Sequence, residues 1–261
     1  MKWPFAKYTG CGNDFILFDN RTALFPKPPG PLAQKLCHRQ MGIGADGLIL
    51  LEQSTLTDYK MRIFNADGSE AEMCGNGIRC LAHWMSSFAS PAFQIEAGGK
   101  IYGLSLEDSY VRVKMPLPTA PPAKLSIDLA GEQHVFYFLN TGVPHAVTFV
   151  EDLLSIPVAS LGPAIRFHPL FEPAGTNATF AQRQETSTFK MRTYERGVEA
   201  ETWACGTGAA AVALAAHFAF GVESPIAIEM RSGEKLHMTL NVDSLSMSGA
   251  ATAVFEGEID L

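Results

Sequence analysis

The sequence predicts an α+β protein of two pseudo-symmetric domains, each a curled, mostly antiparallel sheet around a central buried helix. Three observations predict this. First, two stretches resemble one another. Glu70-Ala71-Glu72-Met73-Cys74-Gly75-Asn76-Gly77 opens into the apolar run Ile78 to Met85, and Glu199-Ala200-Glu201 leads to Cys205-Gly206-Thr207-Gly208 and Ala209 to Phe218. Each is preceded by a glycine (Gly68, Gly197) in Gly-x-Glu-Ala-Glu, and Cys74 and Cys205 stand 131 positions apart in a chain of 261. A unit repeated at half the chain length signals duplication. Second, Ala209 to Phe220 carries one polar residue, His217, and a helix apolar all round is a buried one. Third, the rest of each half reads as many short strands separated by turn residues.

Residues 3–20 read as strand, turn and strand, with Gly10-Cys11-Gly12-Asn13-Asp14 as the turn and Phe15-Ile16-Leu17-Phe18 as a buried strand. A proline-rich loop (Pro26, Pro28, Pro29, Pro31) precedes a short helix over Leu32 to Arg39, with Leu32, Leu36 and Cys37 on one face. Gly42-Ile43-Gly44-Ala45-Asp46-Gly47 spells G-x-G-x-x-G. A dinucleotide fingerprint follows a strand and opens a helix; here helix, glycines and strand (Leu48 to Leu51) come in the opposite order, so the hexapeptide reads as a tight loop. Lys60 to Asn65 is a strand, Ala66 to Ser69 a turn, and the first cysteine helix spans Gly75 to Phe88. Strands follow at Phe93–Ala97, Gly103–Leu106 and Val111–Met115, with turns at Gly98-Gly99 and Asp108-Ser109. Pro116 to Pro122 holds four prolines and reads as a domain junction.

The second half repeats the plan. Strands are expected at Val135–Asn140 and Ala146–Val150, partial helix at Leu153–Leu161, then a strand after Gly175-Thr176-Asn177. Met191 to Glu195 is a strand that turns at Arg196-Gly197, matching residues 61–68. After the second cysteine helix, strands are expected at Ile226–Met230, Lys235–Leu240 and Ala251–Phe255. The domain assignment is residues 1–116, joined by the C-terminal strand 251–261, and residues 117–250.

Bulk composition narrows the function classes. Hydrophobic residues make up 47% and charged residues 18%, as in an ordinary globular chain. A net charge of −7 argues against nucleic-acid or anionic-membrane partners. Five cysteines without regular spacing are not a disulfide framework. The N-terminal residues lack an apolar signal core, and no apolar run approaches the roughly 20 residues of a membrane span. A cytoplasmic location is expected. The seven histidines show no ligand spacing, so no metal is expected.

The chemistry is concentrated at the two cysteine turns. A helix start leaves N–H groups unpaired and carries partial positive charge. That stabilises a thiolate and can hold a carboxylate. Two such turns supply the acid/base pair needed to remove a proton from one face of a carbon and deliver one to the other. Cys80, six positions after Cys74 on the same helix, faces elsewhere and reads as core; Cys11 and Cys37 have no partner pattern.

The blocks Gly10-Cys11-Gly12-Asn13-Asp14-Phe15, Arg62 to Ser69, Met73-Cys74-Gly75-Asn76-Gly77-Ile78-Arg79-Cys80, Tyr194-Glu195-Arg196-Gly197 and Ala204-Cys205-Gly206-Thr207-Gly208 resemble those of diaminopimelate epimerases, in order and over almost the whole chain. The resemblance implies a cofactor-independent epimerase interconverting LL- and meso-diaminopimelate in lysine and peptidoglycan synthesis. It also implies a fold shared with proline racemase and an active site between the domains. Cys74 and Cys205 would be the catalytic thiols, with His145 and Glu195 adjusting their pKa values. The backbone N–H groups of Gly75, Asn76, Gly206 and Thr207 would hold the reacting carboxylate. Asn13, Asn65, Asn177, Glu195 and Arg196 would read the distal end of the substrate. No cofactor is implied, the partner is a small amino acid, and a homodimer is expected. Val143 and Gly47 depart from the family pattern, which has Asn in many members and Gln in some members at these positions. These changes raise the expectation of relaxed distal specificity, with glutamate racemisation as a side activity. The rivals are a proline or hydroxyproline racemase, whose Cys-Gly-x-Gly turn typically has His where this chain has Asn76, a cysteine hydrolase using Cys205 and His145, and a binding module or Cys74–Cys205 redox switch.

Overall fold

The computed structural model describes residues 2–107, 110–115, 117–129 and 131–261. The expected Asp108-Ser109 turn and the first residue of the proline junction, Pro116, lie outside the described residues. The chain divides into two compact units, Met1–Lys114 with Ser248–Leu261, and Met115–Met247.

In the first unit, β1 (Lys2–Gly10) pairs antiparallel with β2 (Asn13–Asp19), and β2 runs parallel to β3 (Gly47–Glu52). β3 pairs antiparallel with β4 (Tyr59–Asn65), which takes the two-residue β5 (Glu70–Ala71) antiparallel and β6 (Ala92–Ala97) parallel. β7 (Lys100–Glu107) and β8 (Tyr110–Met115) continue antiparallel, and the C-terminal β18 (Thr252–Asp260) lies along β1. The middle strands are buried on both faces, which is why β2 and β3 read as unbroken apolar runs. Ile16, Phe18, Leu48, Leu50 and Phe64 pack under α1 (Pro29–Cys37) with Ala33 and Leu36. The opposite face meets α2 (Gly75–Met85), where a Cβ on Gly77 would come 2.9 Å from Ile49 Cδ1 and 3.2 Å from Ile63 Cδ1. α2 touches β1, β2, β3, β7 and β18, so this sheet does curl about a central helix.

The second unit repeats these pairings with the same directions. β9 (Ala123–Leu129) and β10 (Glu132–Asn140) are antiparallel, β10 and β11 (Pro144–Phe149) antiparallel, and β11 and β12 (Asn177–Arg183) parallel. β12 and β13 (Thr188–Glu195) are antiparallel, and β13 takes β14 (Ala200–Glu201) antiparallel and β15 (Ile226–Glu229) parallel. β16 (Lys235–Asn241) pairs antiparallel with β15. α3 (Val158–Arg166) covers one face over Ala146, Ala178, Phe180 and Tyr194, and α4 (Gly206–Phe220) lies on β10 to β13, β15 and β16. Each unit is therefore three layers, outer helix, sheet and central helix.

Several expected elements differ. α1 begins at Pro29, not Leu32, because a proline in the first turn gives up only an N–H that has no helical partner. α2 ends at Met85, not Phe88. The helix expected at 153–161 lies at Val158–Arg166 with Pro163 inside it; Gly162 lets it approach Tyr194, whose ring atoms would stand 2.5 Å from a Cβ there. Besides the two-residue β5 and β14, two longer strands escaped the sequence reading, β9 and β17 (Ser244–Ala250). Both alternate in period 2, Ile127 and Leu129 in one and Leu245 and Met247 in the other facing inward. α4 is buried from Gly208 to Ala216 except for half-buried Leu214, but its last turn is not: Phe218 is 52% exposed.

The register also corrects the repeat itself. Leu48 opposite Phe64 corresponds to Ala178 opposite Tyr194, and Phe64 opposite Glu70 corresponds to Tyr194 opposite Glu201. Glu70 therefore matches Glu201, not Glu199 as the shared Glu-Ala-Glu spelling suggested. The second turn is one residue longer; Glu199 adopts a left-handed φ of 54°, and its carboxylate accepts from Gly197 N–H at 2.9 Å and from Arg166 Nε at 3.2 Å. The matched glutamates carry matched ion pairs. Arg62 binds Glu70 through Nε and Nη2, each at 2.7 Å, and Arg192 binds Glu201 through the same atoms at 2.7 and 2.8 Å. Each pair ties the segment before a cysteine back to the strand beside it.

Candidate active site

Each of the two cysteines is the N-cap residue of a central helix. Cys74 has extended backbone (φ −137°, ψ 120°) and its sulfur accepts the Gly77 N–H at 3.4 Å. Cys205 has nearly the same backbone (φ −139°, ψ 105°). The second glycine of each turn is required by packing: a Cβ on Gly208 would lie 2.9 Å from Met191 Cε and 3.3 Å from Cys205 Sγ.

In the first unit, Asn76 and Asn13 meet. Asn76 Nδ2 donates to Asn13 Oδ1 at 2.7 Å, and Asn13 Nδ2 donates to Asp46 Oδ2 at 3.0 Å. Behind them Arg79, wholly buried, donates to Asn76 Oδ1 at 2.8 Å and to the Gly75 carbonyl at 2.9 Å. Asp46 and Asp14 share Arg39, each at 2.8 Å, and Asp14 also pairs with buried Lys7 at 2.8 Å. The Arg39 and Lys7 hydrogen bonds outweigh burial and hold the Asp14 carboxyl at about 2. This network fixes the start of α2 against the β1–β2 turn. Asn65 is not part of it: its amide donates to Ser69 Oγ at 3.0 Å in its own turn, the local bonding expected of a turn asparagine.

In the second unit, Cys205, Thr207, His145, Asn177 and Glu195 form one connected set. His145 is fully buried; its Nδ1 lies 3.2 Å from Thr179 Oγ1 and its Nε2 lies 3.0 Å from Thr207 Oγ1. Burial, with the charge of Arg196, lowers its pKa to about 3, so the ring is neutral. Asn177 Nδ2 also approaches Nε2, at 3.4 Å. An N–H aimed at Nε2 makes that nitrogen the acceptor, so Nδ1 carries the proton to Thr179 and Thr207 donates its hydroxyl to Nε2. Thr207 Oγ1 in turn lies 3.4 Å from Cys205 Sγ. Asn177 Oδ1 accepts the Arg196 N–H at 2.7 Å, and the Arg196 guanidinium donates to the Ala174 carbonyl at 2.9 Å.

Glu195 lies close enough to the Cys205 thiol for each to shift the other's ionisation. Burial raises the Glu195 carboxyl, and burial together with the neighbouring Glu195 charge pushes the Cys205 thiol well above its ordinary value. The sequence led us to expect a lowered thiol at each helix start. At Cys205 the desolvation of a cysteine only 7% exposed, and a carboxylate beside it, outweigh the helix terminus. The Thr207 hydroxyl and the Glu195 carboxylate are the polar groups beside the thiol.

The repeat places these groups asymmetrically. Matching register sets His145 against Phe15, Asn177 against Gly47 and Glu195 against Asn65. At these three positions the titratable groups, His145 and Glu195, are in the second unit only. At Gly47 a Cβ would lie 2.9 Å from the Phe64 carbonyl oxygen and 3.3 Å from the Phe15 ring, so Phe15 fills the space a larger residue there would need. Sequence reading missed Asp46, Arg79, Thr179 and Thr202. The last donates to Glu195 Oε1 at 2.5 Å; its place three residues before Cys205 was the available signal.

Among the described residues no group of His, Cys, Asp and Glu side chains could hold a metal ion, and no helix is long and apolar enough to cross a membrane. Known proteins give a consistent picture. The family model described as diaminopimelate epimerase matches residues 5–108 and 137–254. The diaminopimelate epimerase of Aquifex aeolicus (strain VF5) is 39% identical over 98% of this chain and 97% of its own length, and that of Hydrogenobaculum sp. (strain Y04AAS1) is 40% identical over 97% and 96%. Among solved structures, a phenazine biosynthesis protein of Enterococcus faecalis superposes over 100% of both chains with a TM-score of 0.76 at 14% identity. A hydroxyproline epimerase of Agrobacterium vitis gives 0.67 at 14% identity, over 99% of this chain and 92% of that one. These two show a shared fold, and the sequence matches show descent: the chain belongs to the diaminopimelate epimerase family, a family of isomerases.

Proposed function

We propose that the protein interconverts LL- and meso-diaminopimelate without a cofactor, in lysine and peptidoglycan synthesis, using Cys74 and Cys205 as its two acid/base groups. The observation that carries this reading is the repeated N-cap cysteine, one per unit, on helices set in sheets of matching register. Epimerisation needs a thiolate on one face of the α-carbon and a thiol on the other. The thiolate takes the α-proton and the opposite thiol donates its own, so the proton count is unchanged. Cys205, held as a thiol beside Glu195, suits the donor role; in reverse, Glu195 accepts its proton to give the thiolate. The first N–H groups of α2 and α4, at Gly75, Asn76, Gly206 and Thr207, suit a substrate carboxylate at the positive end of a helix. They would also stabilise the charge of the carbanion. Asn13, Asn65, Asn177, Glu195 and Arg196 would hold the distal amino-acid group; Arg196, with one nitrogen on Ala174, retains donors for a carboxylate.

Val143 and Phe15-filled Gly47 leave two positions without a polar side chain, which favours slow racemisation of glutamate beside the main reaction. The test is incubation of the reduced enzyme with LL-diaminopimelate in heavy water. Solvent deuterium should enter the α-position as meso isomer accumulates, and Cys74→Ala and Cys205→Ala should each abolish net conversion. A reduced wild-type enzyme that leaves diaminopimelate unexchanged refutes the assignment; absence of exchange in glutamate alone removes only the side activity.

A further inference from the structure

We infer that Thr202 is a positioning residue for Cys205: its hydroxyl holds the Glu195 carboxylate against the thiol. The inference rests on the reading of Cys205 as an acid/base group. Thr202 donates to Glu195 Oε1 at 2.5 Å, the length of a strong hydroxyl–carboxylate bond. The hydroxyl starts from a fixed point. The Thr202 N–H donates to the Thr193 carbonyl at 3.1 Å, the next carbonyl, of Trp203, accepts from Ser232 N–H at 3.3 Å, and the preceding Glu201 is held bidentately by Arg192.

The repeat supplies a second, independent observation. With Glu70 matched to Glu201, the counterpart of Thr202 is Ala71, and the counterpart of Glu195 is Asn65. The hydroxyl is present in the half that has a carboxylate to hold and absent in the half that has none. A carboxylate at the end of a strand, with free rotation about its side-chain bonds, would otherwise turn toward water. Pinning one oxygen leaves the group oriented when the Cys205 proton passes to it, giving thiolate and carboxylic acid. The charged and titratable groups around it are Cys205, His145 through Thr207, and Arg196; Glu201 is directed away, to Arg192 and Arg231.

The test uses the full chain with Thr202→Val, Thr202→Ala and Thr202→Ser. Alkylation of Cys205 by iodoacetamide is followed against pH by peptide mass spectrometry, and kcat and KM are measured for LL-diaminopimelate. The valine and alanine variants should lower kcat about tenfold or more, within the range of general acid–base effects, with KM within about twofold. The inflection that Glu195 ionisation imposes on Cys205 alkylation should move up by about one pH unit, since the carboxylate loses a hydrogen bond. Serine should restore both to within about threefold of wild type. Wild-type inflections in the valine and alanine variants, or serine as impaired as valine, overturn the inference. The alkylation curve decides this even if wild type fails to turn over diaminopimelate, in which case the substrate assignment alone falls.

Discussion

Gly208→Ala tests whether packing beneath α4 sets the Cys205 sulfur. The new Cβ would stand 2.9 Å from Met191 Cε and 3.3 Å from both Cβ and Sγ of Cys205. Met191 must yield by about 0.5 Å and the sulfur by a few tenths of an ångström to reach ordinary contact. The methionine end is flexible and adapts, so overpacking sits at the low end of about 1–3 kcal/mol. The gain of alanine over glycine in a helix offsets about 1 kcal/mol of that. Net stability should change by under roughly 2 kcal/mol, a Tm shift of less than about 8 °C. Activity should suffer more: a displacement of 1 Å costs roughly 10²-fold, so a few tenths should lower kcat about three- to tenfold. Gly77→Ala is the control, because there the crowding falls on Ile49 and Ile63 while Cys74 Cβ lies at an ordinary 3.5 Å. It should lose more Tm and less kcat. Calorimetry and conversion of LL-diaminopimelate, read together, check the pair. Gly208→Ala with wild-type kcat and a depressed Tm would refute the reasoning.

Two further outcomes follow from the same contacts. His145 is neutral in the fold, with a pKa lowered from 6.5 to about 3. The unfolded chain therefore binds more protons between those values, and the stability from this group is complete above about pH 6.5 and lost as pH falls toward 3, by at most about 1.4 kcal/mol per unit. Urea midpoints should fall more steeply from pH 6.5 to 4.5 in wild type than in His145→Gln; equal slopes would contradict this. Arg192 spans Glu201 bidentately and also donates to the Leu153 and Ile156 carbonyls at 3.1 and 2.9 Å, whereas Arg62 spans Glu70 and lies 3.7 Å from Glu52. A lysine cannot reproduce that fork, so Arg192→Lys should cost about 1–3 kcal/mol and more than Arg62→Lys in urea denaturation; the reverse order would be decisive against it.

The sequence by itself determined the duplication, the two N-cap cysteines, the buried helix over residues 209–216 and most strands, because these are written in local pattern: glycine at helix starts, apolar periodicity, turn residues. It also placed His145, Asn177, Glu195 and Thr207 in one neighbourhood through resemblance. It could not decide which repeated letters correspond. The spelling Glu-Ala-Glu aligns Glu70 with Glu199, whereas strand pairing across a turn longer by one residue aligns it with Glu201, two positions further on. β9 and β17 carry the alternation of a strand, but their polar positions, Lys124, Ser126 and Asp128, and Ser244, Ser246 and Ser248, dilute the apolar signal. Only the tertiary structure could set Thr202 on Glu195, put Phe15 where His145 stands in the repeat, and raise rather than lower the Cys205 thiol. Those depend on which side chains share a buried face, and burial and neighbouring charge are properties of the packed chain.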